Sequence, residues 1–234
     1  MKVVDYTLCY CSEDRKMHVG RGCSEEKEKF VGEITNELAD VDGYVGEGSV
    51  LHLKDFSFAT SADLALAVPG GTTISFEGES NIFVINDRED ANVGVLYSSG
   101  DLTLDGDDSS GFSIHAETGR GLWSRAICAR AGDLTINGGK ITATAGHAKK
   151  SCGVYAGGHL WIGNDNKGKI AINGGSVSVR AGRNAIRAAE GKLTVAAGAT
   201  VTNAQEFAGA ASFVGDCLSP INEELPITVS FLGN

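Results

Sequence analysis

From Leu51 onward, hydrophobic and polar residues alternate in short runs that are separated by glycine. LHLKDFSF, TTISFEG and KITATAG are examples, and each has the period of two that is typical of a β-strand with one buried face. The pattern predicts an all-β protein.

The runs also repeat. GDLTINGGKITATAG at 132–146 returns as GKIAINGGSVSVRAG at 168–182. Similar strands follow Gly100, Gly132, Gly158 and Gly191, at steps of roughly 30 residues, which is the length of one solenoid coil rather than of one hairpin. Anchored on these glycines, the alignment predicts two aliphatic columns inside the solenoid and a mixed column outside. The aliphatic columns are Val95, Ile127, Val154, Ile186 and Leu102, Leu134, Leu160, Leu193; the mixed column is Leu96, Cys128, Tyr155, Arg187.

A meander or jelly roll of hairpins is the competing all-β interpretation, with Asn-Gly at the turns. Recurrence of whole segments at coil spacing favours a single-stranded parallel β-helix over 49–205. Asn137 and Asn173 hold equivalent places in INGG, where turn chemistry and stacked amides are the expected roles.

The two ends of the chain differ from the repeat. In 1–48, Ser24 is a plausible N-cap, and Phe30, Ile34 and Leu38 recur at four-residue steps, so we predict a short capping α-helix over about 25–39. Residues 206–234 break the pattern, carry Pro220 and Pro226, and are expected to form a C-terminal cap or last coil.

Composition narrows the possible partners. The chain has 234 residues, 32 of them glycine and 3 proline, which suits many tight turns between strands. Its formal net charge of −10 argues against nucleic acid as the main partner. No apolar stretch reaches the roughly 20 residues of a membrane span, and the first residues lack the apolar core of a signal peptide. The six cysteines do not form the pattern of a small disulfide-stabilised domain.

Aromatic and basic residues are the candidate ligand contacts. Trp123, Tyr155 and Trp161 offer apolar ring faces with polar rims to a sugar, although such residues also pack at coil corners. Trp161 stands where other coils have Thr103, Thr135 and Thr194, so it is expected to face outward. Arg180 and Arg187 could bind the carboxylates of an acidic polysaccharide, and the alternative is solvated arginines paired with Asp or Glu.

Two groups are candidate metal ligands. Asp105, Asp107 and Asp108 in DLTLDGDD and Asp165 in GNDNKG could supply oxygen ligands to calcium, the alternative being solvated turns. A zinc set of Cys9, Cys11, His18 and Cys23 is the second possibility, with a spacing that departs from the usual one. No hydrolase, metalloprotease or phosphate-binding motif is present, so nothing in the sequence argues for an enzyme.

The stretch from about 51 to 203 resembles a bacterial carbohydrate-binding family of right-handed parallel β-helices related to polysaccharide lyases. The resemblance rests on LHLKDFSFAT, ADLALAVPGGTTISFEGESNIF, GVLYSSGDLTLDG, GDLTINGGKITATAG and GVYAGGHLWIG. It implies a right-handed solenoid in a secreted or surface protein that binds acidic or plain polysaccharide, with calcium as a candidate cofactor.

Three functions therefore stay open at this point. The first is a non-catalytic module that binds polysaccharide at a bacterial surface. The second is a lyase or hydrolase on the same fold, with Arg180 or Arg187 as proton acceptor beside a calcium ion. The third is a structural or adhesion protein without a small ligand, which would self-associate through the solenoid ends.

Overall fold

The computed structural model describes residues 2–20, 36–37, 42–86, 88, 91–117, 123–146, 148, 150–157, 168–181, 184–203, 212–220 and 229–231. Every regular element in these ranges is a β-strand, so the predicted all-β class is confirmed. The strands are β1 (Val3–Val4), β2 (Leu8–Cys11), β3 (Lys16–Val19), β4 (Asn36–Glu37), β5 (Tyr44–Glu47), β6 (Val50–Lys54), β7 (Ser57–Thr60), β8 (Leu64–Val68), β9 (Thr72–Glu77), β10 (Glu79–Ile85), β11 (Val93–Ser98), β12 (Leu102–Gly106), β13 (Gly111–Glu117), β14 (Trp123–Arg130), β15 (Leu134–Ile136), β16 (Lys140–Thr144), β17 (Lys150–Gly157), β18 (Ile170–Ile172), β19 (Ser176–Arg180), β20 (Asn184–Val195), β21 (Thr200–Asn203), β22 (Ser212–Pro220) and β23 (Val229–Phe231).

Most strands pair in parallel, in three ladders. The first ladder is an 8-stranded sheet that contains β7, β10, β13, β16, β19 and β21 in that order. A 15-stranded sheet holds the other two, because the long strand β20 pairs with both β17 and β18. The second ladder runs β2–β8–β11–β14–β17–β20, and the third runs β6–β9–β12–β15–β18–β20. The chain visits the second, third and first ladders in turn, so each circuit adds one strand to each ladder.

The parallel pairing does not fit a meander of hairpins. Within the described residues, antiparallel pairing is limited to β2–β3, β3–β4 and β5–β6, near the amino-terminal end. From β6 to β21, equivalent strands of successive circuits lie side by side with their hydrophobic residues in register.

The register corrects all three predicted columns. Tyr97, not Leu96, pairs with Cys128 in the mixed column. Leu96, not Val95, pairs with Ile127, and the column continues through Val154 to Ile186. The glycine-anchored alignment could not choose between them because both are buried: two consecutive residues point into the core at this corner of the strand.

The third ladder contains the other correction. Ile170 pairs with Leu134 and Leu193, so Leu160 is not the residue of this column. In the same way Ala171, not Trp161, joins Thr135 and Thr194 in the threonine column. The sequence between β17 and β18 is longer than the sequence between β14 and β15. It contains HLWI, whose alternation of residues resembles that of a strand of this ladder.

The repeated NGG forms a corner between the third and first ladders. Gly139 and Gly175 have left-handed φ angles of 82° and 72°, which favour glycine. The Asn173 side-chain amide Nδ2 donates to Asn137 Oδ1 at 3.0 Å. The predicted amide stacking is confirmed, whereas the left-handed position of the turn is taken by the second glycine and not by the asparagine.

The predicted helix over 25–39 lies mostly outside the described residues. Its described part, Asn36–Glu37, is strand β4, which pairs antiparallel with β3, so the prediction was wrong there. One edge of β3 pairs with β2, and the backbone groups on its other edge can bond to a strand but not to a helix. At the other end, β22 and β23 pair in parallel with β20 and β21.

Candidate functional site

The outward-pointing residues of the second ladder bring aromatic rings, thiols and arginines together. Beside the buried aliphatic column, the next residue of each circuit points outward, and these residues stack as Ala67, Tyr97, Cys128, Tyr155 and Arg187. We call this column, together with Trp123, Arg125, Arg130 and Cys152, the arginine face.

Arg125 lies at the centre of the arginine face, between two aromatic rings. Its guanidinium carbon is 4.3 Å from the ring centre of Trp123, on the same strand, and 4.1 Å from that of Tyr155, on the next strand. Its Nη1 lies 3.5 Å from Cys128 Sγ. Two rings against one cation hold the planar guanidinium in a fixed orientation, and each such contact is worth about 0.5–2 kcal/mol.

Two further arginines share this surface. Arg130 Nη1 donates to the hydroxyl of Tyr97 at 3.0 Å. Arg187 follows Tyr155 in the outward column. In the described part of the chain, neither Arg125 nor Arg187 has a carboxylate within ion-pair distance; the ion pairs there belong to other residues. A partly exposed guanidinium without a carboxylate partner is available to an external anion.

The thiols and phenols of this surface are neutral. Burial raises the pKa of Cys152 to about 12, against the opposing charge of Arg125. Burial also raises the pKa of Cys128 and of Tyr155, and the positive charge of Arg125 opposes both shifts. At neutral pH these groups therefore carry no negative charge to cancel the arginines, and neither cysteine is a thiolate nucleophile.

The structure gathers three of the five predicted ligand residues on the arginine face. Trp123 is partly exposed, Tyr155 is buried with Arg125 over its ring, and Arg187 is partly exposed. Arg180 instead belongs to the first ladder, in a column with His115 and Thr144, so it does not lie beside Arg187. Trp161 lies outside the described residues.

Arg125, the central residue of this surface, was not among the predicted ligand residues. The signal was available in the WSR run: residues two apart on a strand share one face, so Trp123 and Arg125 had to lie side by side. The contact with Tyr155 depends on the register between β14 and β17, which the sequence does not fix to the residue.

The predicted calcium ligands lie at the far end of β12 and in the turn after it. Asp105, Asp107 and Asp108 are exposed, and Asp165 lies outside the described residues. Asp107 Oδ1 accepts hydrogen bonds from the Ser109 amide and from the hydroxyls of Ser109 and Ser110 at 2.7–2.9 Å. These bonds, the one from the Ser109 hydroxyl first, lower the pKa of Asp107 to about 2. Within the described ranges, none of the three belongs to a group of three or more potential metal ligands.

The predicted zinc ligands are only partly brought together. Cys11 and His18 lie close to each other, with Asp14, which the prediction did not include, in the same group. Cys9 is buried and its Sγ lies 3.4 Å from the carbonyl oxygen of Gly20; Cys23 lies outside the described residues. None of Cys9, Cys11, Cys128 and Cys152 is disulfide-bonded.

Comparison with known proteins found no matching family model, no matching curated protein and no matching solved structure. The described residues contain no helix with the length and apolar character needed to span a membrane.

Proposed function

We propose that the stacked circuits form a right-handed parallel β-helix and that the protein is a non-catalytic module that binds acidic polysaccharide through the arginine face. The observation that carries the proposal is the Arg125 guanidinium, held between Trp123 and Tyr155 and without a carboxylate partner among the described residues.

An oriented guanidinium matches a carboxylate. Its planar fork can bind both oxygens of a uronate carboxylate, and the two rings reduce the freedom that binding would otherwise remove. The partly exposed ring of Trp123 offers an apolar surface beside this cation, which suits the C–H face of a sugar. A ligand with both a carboxylate and a sugar ring is a uronic acid unit.

The ladder also suits a polymer rather than a single sugar. Arg125 lies on β14 and Arg187 on β20, two strands further along the ladder, and Arg187 is in register with Cys128 rather than with Arg125. Two strand spacings and three residues along the strand place the two backbones about 14 Å apart. A chain that carries a carboxylate on each unit can contact both cations at once, and linked contacts raise the overall affinity.

Because the protein has a net charge of −10, this local cluster of cations favours ligands that fit it closely over ligands held by charge alone. A polyanion held only by charge, such as a nucleic acid, would be repelled by the rest of the surface. A calcium ion held by Asp105, Asp107 or Asp108 is the second part of the proposal, since it could bridge an acidic chain to this acidic protein.

The test is an isothermal titration of the full chain with galacturonate oligomers, mannuronate oligomers and neutral glucan oligomers of equal length. We expect saturable binding of an acidic oligomer and none of the neutral one. Repeating it with calcium and with a chelator decides whether calcium takes part. Absence of binding by every acidic oligomer would overturn the proposal.

The same samples separate the other two functions. A lyase would release an unsaturated uronate that absorbs in the ultraviolet, whereas a binding module leaves the oligomer intact. A structural protein would bind no oligomer and would show association that grows with protein concentration.

A further inference from the structure

The hairpin formed by β2 and β3 brings together three potential metal ligands. Cys9 pairs with His18 and Cys11 with Lys16, so Cys11 and His18 occupy diagonal positions on one face of the hairpin. The opposite face, with Leu8, Tyr10 and Met17, belongs to the hydrophobic core. The turn at 12–15 then returns Asp14 towards the same two residues.

The turn is built to hold Asp14 in this place. The amide of Arg15, at a left-handed φ of 63°, donates to the carbonyl oxygen of Cys11 at 2.9 Å. The amide of Lys16 donates to Asp14 Oδ1 at 3.1 Å. The other carboxylate oxygen, Oδ2, lies 2.7 Å from His18 Nε2. Both oxygens of Asp14 are therefore positioned by the hairpin itself.

His18 has an unusual environment for a histidine. The residue is only 7% exposed, and its Nδ1 is buried without a hydrogen-bond partner. A buried polar atom without a partner costs about 1–3 kcal/mol, so it needs an explanation. In the tautomer in which Nε2–H donates a hydrogen bond to Asp14 Oδ2, Nδ1 carries a lone pair, and a neutral imidazole lone pair is the form that binds metals.

We propose that Cys11, Asp14 and His18 form a binding site for a thiophilic divalent transition metal, with Zn²⁺ as the expected ion. One donor atom from each of the three lies within 4.8 Å of the others. Ligands of a tetrahedral zinc ion are roughly 3.3–3.8 Å apart, given the usual metal–ligand lengths, so a small movement of side chains closes the site.

The donor types select the metal. A thiolate with an imidazole favours zinc, cobalt or copper, whereas calcium and magnesium prefer oxygen ligands. Asp14 adds a carboxylate oxygen to the thiol and the imidazole, a third donor type that zinc also accepts. Three protein ligands leave a fourth position for water or for another group of the chain.

A metal here would fasten the hairpin that begins the second ladder. Strand β2 pairs in parallel with β8, and β3 pairs with β4, so the site joins the first described strands of this ladder. Binding to the folded chain only would raise its stability with the logarithm of the ratio of metal concentration to dissociation constant. This inference does not depend on the polysaccharide proposal, because the two sites share no residue.

The test uses the full chain, stripped with a chelator and then titrated with Co²⁺ and Zn²⁺. We expect one ion per chain, a thiolate-to-cobalt charge-transfer band in the near ultraviolet, and a rise in Tm with Zn²⁺. Cys11→Ser should remove the band, and His18→Gln and Asp14→Asn should each weaken binding at least tenfold.

Two matched variants serve as controls. His52→Gln removes an exposed histidine that contacts Glu47, and Cys152→Ala removes a buried thiol of the arginine face. Both should keep the cobalt band and bind Co²⁺ with the affinity of the unchanged protein. The proposal is overturned if the unchanged protein binds no stoichiometric metal, or if folded Cys11→Ser, checked by circular dichroism, keeps the band.

Discussion

The outer surfaces of the second and third ladders differ in how their polar groups are used. On the third ladder, Thr73, Thr103 and Thr135 stack as one outward column, and Asn173 donates to Asn137 one circuit away. On the second ladder, the outward column changes at every circuit, and Arg125 and Arg187 have no carboxylate within ion-pair distance among the described residues.

The corner that precedes the strands of the third ladder also repeats its hydrogen bonds from one circuit to the next. Asp101 Oδ1 accepts from the Asp133 amide, and Asp133 Oδ1 accepts from the Lys169 amide, each at 2.8 Å. The repeated aspartate of GDLT is thus a structural ladder. Positions that repeat serve the stacking of circuits, and the positions that break the repeat are those for which we propose a role in binding.

The largest effect should come from the repeated corner. Gly175 has a φ of 72°, and a Cβ there would lie 2.2 Å from the carbonyl oxygen of Gly139. Gly175→Ala should lower the free energy of unfolding by about 3–4 kcal/mol in urea titrations, from left-handed strain plus a backbone clash.

Gly71→Ala is the matched control for this loss. Gly71 has a similar φ of 83°, but a Cβ there would meet nothing within 4 Å. Gly71→Ala should lower the free energy of unfolding only by the strain of a left-handed alanine, about 1–2 kcal/mol. Equal losses at the two glycines would show that the close approach of stacked corners contributes nothing.

The next effect concerns the arginine face. Arg125→Lys keeps the charge but loses the planar fork that fits between Trp123 and Tyr155. Affinity for the acidic oligomer should fall roughly tenfold, which is about 1.4 kcal/mol, with little change in stability. Arg88→Lys, at an arginine already paired with Asp63, should leave the affinity as it is. A loss of the same size in both variants would contradict a specific role for Arg125.

A smaller change in stability is expected at the aspartate ladder. Asp133→Ala removes the acceptor of the Lys169 amide, so the free energy of unfolding should fall by about 1 kcal/mol. Asp133→Asn keeps an acceptor oxygen and should lose less. Oligomer affinity should be unchanged in both, and a loss of affinity would place this ladder in the binding surface.

The smallest effect is expected inside the second ladder. Ser124 is fully buried and its hydroxyl oxygen has no hydrogen-bond partner, so Ser124→Ala should be neutral or stabilise by up to about 1 kcal/mol. Ser151 is equally buried but donates to the carbonyl oxygen of Gly146 at 2.7 Å, so Ser151→Ala should destabilise the fold. Thermal unfolding of both variants checks the difference, and a clear loss at Ser124 would contradict the unpaired assignment.

The sequence predicted the strands, the circuits and the role of the NGG corners because each repeats a local physical need: alternation, glycine at positive φ and an amide to stack. It did not predict which of Val95 and Leu96 continues the column, since both are buried and the alignment tolerates either. It also drew attention to Trp161 through a false match, and passed over Arg125, whose importance comes from a partner on the neighbouring strand.

The most direct measurement compares two charge-matched variants in the same calorimetric titration with galacturonate or mannuronate oligomers. Arg125→Gln and Arg88→Gln each remove one positive charge, but only Arg125 lies between aromatic rings without a carboxylate partner in the described part of the chain. We expect Arg88→Gln to bind the oligomer like the unchanged protein and Arg125→Gln to lose at least tenfold in affinity. Equal affinities in the two variants would contradict it.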